Sequence, residues 1–230
     1  MSPEAASIVA HHNRGNHTVP TLVYSDGTAQ TNPALKAPVA VLPAPGGGAH
    51  DMQIDHRPDG RAIAYTSYRR GYPDIFISLI YQGILQNPTK GPNSYFTPVF
   101  SPDGTRVAFA SNRDGNMELY VMNVDGSNVR RLTNHPAYEI APAWSPTGTQ
   151  IAFTSDRATP GQAQIYVMNA DGSDQRRISF FGGRAATPEW SPRGDQIAFT
   201  HIVGDLRIAV MTPGGGGLRY LTNSWQDEAP

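Results

Sequence analysis

Three segments of this 230-residue chain are near-copies of one another, at residues 95–133, 139–179 and 185–222. A fourth, weaker copy precedes them at residues 56–78. The proline of one turn recurs in all four copies, with spacings of 44, 44 and 46 residues: Pro58, Pro102, Pro146 and Pro192. This repeat constrains the fold more than composition does, because each copy must form the same unit and pack against its neighbours.

Each copy contains four short apolar segments that are separated by turn residues. In the copy at 95–133 we predict strands at 97–101, 107–111, 118–123 and 129–133. A period of about 40–45 residues with four strands per copy is typical of a β-propeller blade. We therefore predict an all-β fold of the propeller class.

The second and third predicted strands are apolar at nearly every position, as at residues 107–110 and 119–122. Continuous apolar strands are expected where both faces of a sheet are covered, as in a blade that packs between two others. Phe100, Trp144 and Trp190 occupy one equivalent position on the innermost strand. We assign these rings to packing between blades; the alternative is an aromatic platform for a ligand.

The repeats divide the chain into predicted units. A flexible tail is expected at residues 1–19, and the propeller domain at residues 20–230. Within the domain we expect a degraded blade at 20–50, four clear blades at 51–90, 91–135, 136–182 and 183–223, and the start of a further inner strand at 224–230. Such a set is an incomplete propeller, part of a longer one. Its uncovered blade faces would favour self-association.

Composition excludes several classes of protein. A net charge of −1 gives no electrostatic reason to expect binding to nucleic acid or to an anionic membrane. The absence of cysteine excludes disulfides, thiolate zinc sites and a cysteine nucleophile. No apolar segment is long enough for a signal peptide or for membrane insertion, so the sequence by itself is compatible with retention in the cytoplasm.

Motifs for catalysis are absent from the sequence. It contains neither the Gly-x-Ser-x-Gly motif of serine hydrolases nor a phosphate-binding Walker loop. For a lyase-type propeller with an axial metal, the predicted inner strands offer Glu189 as their one acidic candidate, which argues against that function. We predict no catalytic residue and no cofactor.

Two groups of residues contain side chains that could bind a metal ion. One group lies in the polar terminal segment, where a solvated tail is the better explanation: His11, His12 and His17. The other group lies in Gly-containing turns, where an aspartate bonds to the local backbone and successive calcium ligands are lacking: Asp103, Asp125 and Asp171. We predict no metal site from either group.

The loop between the second and third strands differs in length from copy to copy. In a propeller this loop opens on the same face as the connection between blades, and variation on one face is typical of a binding surface. We predict a partner-binding site there, formed by Arg69, Arg70, Tyr72, Arg113, Asp114, Tyr138, Glu139, Arg157, Arg184, Asp227 and Glu228. For the repeated arginines that follow the second strand, the alternative is a structural ion pair or hydrogen bond.

The motifs of the repeat resemble those of the TolB-type propellers of the bacterial Tol-Pal system. The resemblance is carried by residues 144–146, 151–153, 165–169 and 176–178, and by the segment 63–133. It implies a six-bladed propeller preceded by a small α/β domain, located in the periplasm. It also implies that the propeller binds a peptidoglycan-associated lipoprotein and that the N-terminal region contacts TolA. Residues 1–55 show no pattern of such an α/β domain.

We therefore predict a non-enzymatic, protein-binding propeller that supports the cell envelope. The alternative from another class is a regulatory propeller that belongs to a serine-peptidase-type hydrolase. The same repeat occurs in both kinds of protein, so the alternative stays open at this point.

Overall fold

The computed structural model describes residues 21–24, 29–31, 41–42 and 51–222, with side chains from residue 53 to residue 222. Three short strands come first: β1 (Thr21–Tyr24), β2 (Ala29–Thr31) and β3 (Val41–Leu42). They form one sheet in the order β2-β1-β3, in which β1 and β3 run parallel. A degraded blade was predicted at 20–50, and this mixed sheet differs from the antiparallel blades that follow. The predicted tail and the residues from 223 onward lie outside the described residues.

Sixteen further strands form four sheets of four strands each within the described residues. The first sheet contains β4 (Asp51–His56), β5 (Ala62–Ser67), β6 (Asp74–Leu79) and β7 (Ile84–Gln86). The second contains β8 (Tyr95–Phe100), β9 (Arg106–Ser111), β10 (Glu118–Asn123) and β11 (Arg130–Arg131). The third contains β12 (Glu139–Trp144), β13 (Gln150–Ser155), β14 (Gln164–Asn169) and β15 (Arg176–Arg177). The fourth contains β16 (Arg184–Trp190), β17 (Ile197–Val203), β18 (Asp205–Met211) and β19 (Arg219–Tyr220).

Every one of these four sheets is an antiparallel meander, in which each strand pairs with the next strand along the chain. We number the sheets as blades 1 to 4. Each blade lies inside one of the four ranges that the repeats predict. The domain boundaries, and the number of blades in a complete ring, stay predictions.

The turn between the first and second strands is built by local hydrogen bonds. In blade 2, the amide N–H groups of Gly104 and Thr105 donate to the Ser101 carbonyl at 2.7 Å and to the Asp103 carboxylate at 3.0 Å. Gly104 has a φ of +68°, which glycine adopts at little cost. The hydrogen bonds from Ser101 and Thr105 lower the pKa of Asp103 to about 2. Asp103 therefore has the structural role that the sequence predicts.

The blades pack through the large apolar residues of the repeat. Trp144 is 7% exposed and lies between blades 2 and 3, in a cluster with Leu119 of blade 2 and Phe153 of blade 3. Trp190 and Phe100 are buried in the corresponding clusters. The prediction that these rings pack between blades is confirmed.

Among the described strands, each inner strand contacts the inner strand of the next blade, and β16 makes no contact with β4. The four blades therefore form an arc. On the free side of blade 4, Leu221 is 50% exposed, whereas the equivalent Leu132 and Ile178 are buried beneath the next blade. None of the described residues forms a helix, so no helical membrane span is found among them.

Candidate functional site

The loops between the second and third strands lie at the same end of the blades as the connections between blades. The Ser94 amide donates to the Asn112 side chain at 2.8 Å, and the Tyr138 amide donates to the Asp156 carboxylate at 3.0 Å. The Gln164 side chain donates to the Gly183 carbonyl at 2.9 Å. We call this end the loop face; it comprises loops 68–73, 112–117 and 156–163 and connections 87–94, 132–138 and 178–183.

Most of the residues predicted for partner binding are accessible on this surface. The exposed ones are Arg70, Tyr72, Arg113, Asp114, Tyr138 and Arg184. Arg69 and Arg157 are half-buried. Glu139 is fully buried, so its expected exposure was wrong. Asp227 and Glu228 lie outside the described residues.

Glu139 is buried because Arg157 neutralises it. The Arg157 guanidinium donates two hydrogen bonds to the Glu139 carboxylate, at 2.7 and 3.3 Å, and one to the Gln175 side chain at 2.8 Å. The guanidinium also lies over the Tyr166 ring, 5.0 Å from its centroid. Burial raises the pKa of Glu139 against the opposing effect of Arg157. These contacts therefore support the alternative interpretation of Arg157, in which it forms a structural ion pair.

Arg113 occupies the same repeat position in blade 2 and makes different contacts. Its backbone amide donates to the Ser111 hydroxyl at 3.2 Å, and its guanidinium lies 5.6 Å from the centre of the Tyr120 ring. No carboxylate among the described residues pairs with its guanidinium. The neighbouring Asp114 accepts a hydrogen bond from the Tyr120 hydroxyl at 2.7 Å. Arg113 is thus the repeated arginine that is free to contact a partner.

Glu118 is a second buried acid on this face, and it is not among the residues that the sequence predicts for the site. Its Oε1 atom accepts hydrogen bonds from the Arg131 guanidinium at 2.8 Å and from the His135 amide at 2.7 Å. Its Oε2 atom has no hydrogen-bond partner among the described residues. A signal existed, because a polar residue begins the third strand in each of the first three copies: Asp74, Glu118 and Gln164.

Two carboxylates lie on the inner strands of blades 1 and 4, at equivalent positions. Asp55 pairs with Ala64 as Glu189 pairs with Ala198, and each follows a bulge in its inner strand. The Phe100 amide donates to the Asp55 carboxylate at 2.7 Å. The prediction that Glu189 is the one acidic candidate on the inner strands was therefore wrong. No group of three or more metal-binding side chains occurs in the part of the chain that the structure describes.

Both carboxylates titrate well above their ordinary ranges. Burial raises the pKa of Asp55 to about 6. Glu189 keeps contact with solvent, but the surrounding protein reduces its hydration, and this effect together with the charge of Asp55 raises its pKa to about 7. Folding therefore disfavours the ionised forms of both groups.

We expect the pair to make the free energy of unfolding depend on pH. The folded-state pKa values are raised, so the stabilising contribution is complete below about pH 4 and is lost as the pH rises through 6 to 7. Urea unfolding of the parent and of Glu189→Gln should show a smaller loss of stability in the variant between pH 5 and pH 8. Identical pH profiles would show that the titration of Glu189 is not coupled to folding. Glu139 is present in both proteins, so its own titration cancels in the comparison.

The sequence of residues 51–230 matches the family model described as the TolB beta propeller domain. The chain belongs to this family. The four antiparallel meanders agree with this family, so the predicted all-β propeller of the TolB type is confirmed; its expected six blades stay a prediction.

Two solved TolB structures are similar to this chain over most of its length. The TolB structure from Acinetobacter baumannii has a TM-score of 0.70 and 27% sequence identity, over 90% of this chain and 49% of that one. The putative TolB from Agrobacterium tumefaciens has a TM-score of 0.71 and 25% identity, over 89% of this chain and 80% of that one. This chain therefore spans about half the length of the Acinetobacter protein.

A curated relative gives a shorter but closer match. The Tol-Pal system protein TolB 1 of Novosphingobium aromaticivorans is 84% identical over 31 residues, which are 14% of this chain and 7% of that protein. The repeat motifs indicate a resemblance to TolB-type proteins. The family model, the solved structures and this short segment of high identity all agree with it.

Proposed function

We propose that this chain is the protein-binding propeller of a TolB-type component of the Tol-Pal system and that its loop face binds a peptidoglycan-associated lipoprotein. The observation that carries the proposal is the family match over residues 51–230. The site would serve cell-envelope integrity and would operate in the periplasm, where a lipoprotein of this kind meets peptidoglycan. The proposed role is non-enzymatic.

The chemistry of the loop face supports a protein partner. Tyr138 is 62% exposed and Tyr72 is 48% exposed, and both lie close in sequence to charged residues of the same face. Tyrosine and arginine, together with tryptophan, are enriched among the residues that carry most of the binding energy at protein interfaces. At the other end of the blades, turn geometry accounts for the repeated Asp and Gly residues, as at Asp103 and Gly104.

A binding experiment with two charge variants tests the proposal. We expect the purified chain to bind a soluble peptidoglycan-associated lipoprotein domain in calorimetry, and Arg113→Glu to weaken binding by roughly tenfold. Asp195→Asn is the matched control: it lies in the turn at the other end, where Asp195 accepts a hydrogen bond from Ser191 at 2.7 Å. It should leave the affinity unchanged.

Two outcomes would contradict the proposal. One is the absence of binding by a parent protein whose melting curve shows a cooperative fold. The other is an equal loss of affinity in both variants, since that would point to a general effect on folding. A hydrolase domain that binds this chain in place of the lipoprotein would instead support the alternative of a regulatory propeller.

A further inference from the structure

A cavity of about 340 Å³ opens between blades 1 and 2. Its walls include Asn87 and Lys90 from the connection between the blades and Tyr95, Arg113 and Val129 from blade 2. The buried side chains of Phe109 and Met122 lie next to it. The cavity therefore has a mostly polar lining that includes two cationic side chains, Lys90 and Arg113.

The repeat provides an internal comparison, because the equivalent groove between blades 2 and 3 is spanned by a side-chain network. There the Arg157 guanidinium donates to the Glu139 carboxylate and to the Gln175 side-chain oxygen. The Gln175 amide nitrogen in turn donates to the Leu132 carbonyl of blade 2 at 3.0 Å. The network links the arginine of one blade to the outer strand of the blade before it.

Blade 2 has the equivalent arginine, Arg113, but lacks the side chains that pair with Arg157 in blade 3. Tyr95 stands at the position of Glu139, since both pair with the serine that ends the second strand. Val129 stands at the position of Gln175 in the repeat. Tyr95 has no carboxylate and Val129 has no polar atom on its side chain, so neither can complete the network around Arg113.

The charges around the cavity favour an anionic ligand. Lys90 and Arg113 are exposed and pair with no carboxylate among the described residues. Asp125 is the acid of the lining, and its carboxylate already accepts hydrogen bonds from the Ser127 amide and hydroxyl, at 2.9 and 2.6 Å. The Tyr95 hydroxyl also donates to no described residue and can serve as a further hydrogen-bond donor.

We propose that this cavity binds the carboxylate of an aspartate or glutamate side chain of the protein partner. The incoming carboxylate would pair with Arg113 as Glu139 pairs with Arg157: the Arg113 guanidinium would bind it through two parallel hydrogen bonds, and Lys90 would add charge. The aliphatic part of the partner side chain would pack on Val129. The proposal rests on the proposed function of the loop face and names the acidic group that this face recognises.

Nuclear magnetic resonance titration of the full chain tests the assignment, with N-acetyl-glutamate methylamide as the probe and the glutamine analogue as its neutral match. We expect the glutamate probe to shift the side-chain Nε signal of Arg113 and the amide signals of residues 87–90. Arg113→Gln should raise the dissociation constant roughly fivefold to tenfold, since the site is partly open to solvent. Arg219→Gln removes an exposed arginine of blade 4, outside the cavity and outside the predicted partner-binding residues, and should leave the constant unchanged.

A second variant uses the repeat to close the site. Tyr95→Glu combined with Val129→Gln restores the residue types of blade 3, so an internal carboxylate should occupy Arg113 and abolish probe binding. If a melting experiment shows that this double variant does not fold, the change in probe affinity of Arg113→Gln alone tests the proposal. Equal binding of the glutamate and glutamine probes would overturn the proposal, and so would an equal loss of affinity in Arg113→Gln and Arg219→Gln.

The same variants separate this inference from the function on which it rests. A protein that discriminates the two probes through Arg113 but does not bind the lipoprotein would retain the carboxylate site and lose the proposed function. A protein that binds the lipoprotein equally well with and without Arg113 would retain the function and overturn the carboxylate site.

Discussion

Arg157→Glu should lower the free energy of unfolding by about 3–5 kcal/mol, because it leaves the buried Glu139 carboxylate without its counter-charge. Glu139 is fully buried, and the Arg157 side chain is only 15% exposed, so solvent screens the pair weakly. The variant also loses the hydrogen bond to Gln175 that links blade 3 to blade 2. Urea unfolding at pH 7 measures the effect.

Arg113→Glu is the matched control, since Arg113 occupies the same repeat position and is exposed. We expect its stability to stay within about 0.5 kcal/mol of the parent. The loss of unfolding free energy in Arg157→Glu should also become smaller at acidic pH, where Glu139 is protonated. Burial raises the pKa of Glu139, and the pKa would rise further without Arg157. Equal stability of the two variants would show that the Glu139–Arg157 pair does not hold the loop face together.

This contrast shows where sequence reasoning succeeds and where it fails. The repeat places Arg113 and Arg157 correctly at one end of the blades, because loop position follows from strand order. It does not reveal that Glu139 is buried, since a lone acid at the start of a strand looks like a surface residue. Burial there depends on an arginine 18 residues later in the chain. The substitution of Tyr95 for Glu139 in the preceding blade is visible only when the copies are aligned position by position.

The inner strands show a second physical limit. The sequence predicts that the inner strand of blade 2 begins at Thr97, but β8 begins at Tyr95. The difference arises because a bulge interrupts the pairing of β8 with β9 between Phe96 and Val99. Thr97 has a φ of +49° at this bulge, a conformation that a threonine rarely adopts and that local propensity does not suggest. The third strand of the same blade carries no bulge, and its predicted bounds, 118–123, match the structure.

An equivalent bulge in β4 lies directly before Asp55. The recognisable part of the weak first copy begins at His56, but Asp55 stands three residues before Pro58, as Glu189 stands three residues before Pro192. Counting back from the turn proline in every copy would have placed both acids on the inner strands. Pairing of β4 with β5 on either side of the bulge confirms this position.

Trp144→Ala should lower the free energy of unfolding by about 3–5 kcal/mol, because it leaves a cavity between blades 2 and 3. The ring packs against apolar neighbours that include Leu119 and Phe153, and its Nε1 atom has no hydrogen-bond partner among the described residues. Trp144→Phe should recover most of the loss, since Phe100 fills the equivalent position between blades 1 and 2. Tyr81→Ala removes an aromatic ring that is 54% exposed and should change stability by less than about 1 kcal/mol. Thermal and urea unfolding of the three variants provide the measurement. If Trp144→Ala melts with the parent, the indole does not fill the interface between the blades, and the register of the inner strands against their neighbours is wrong.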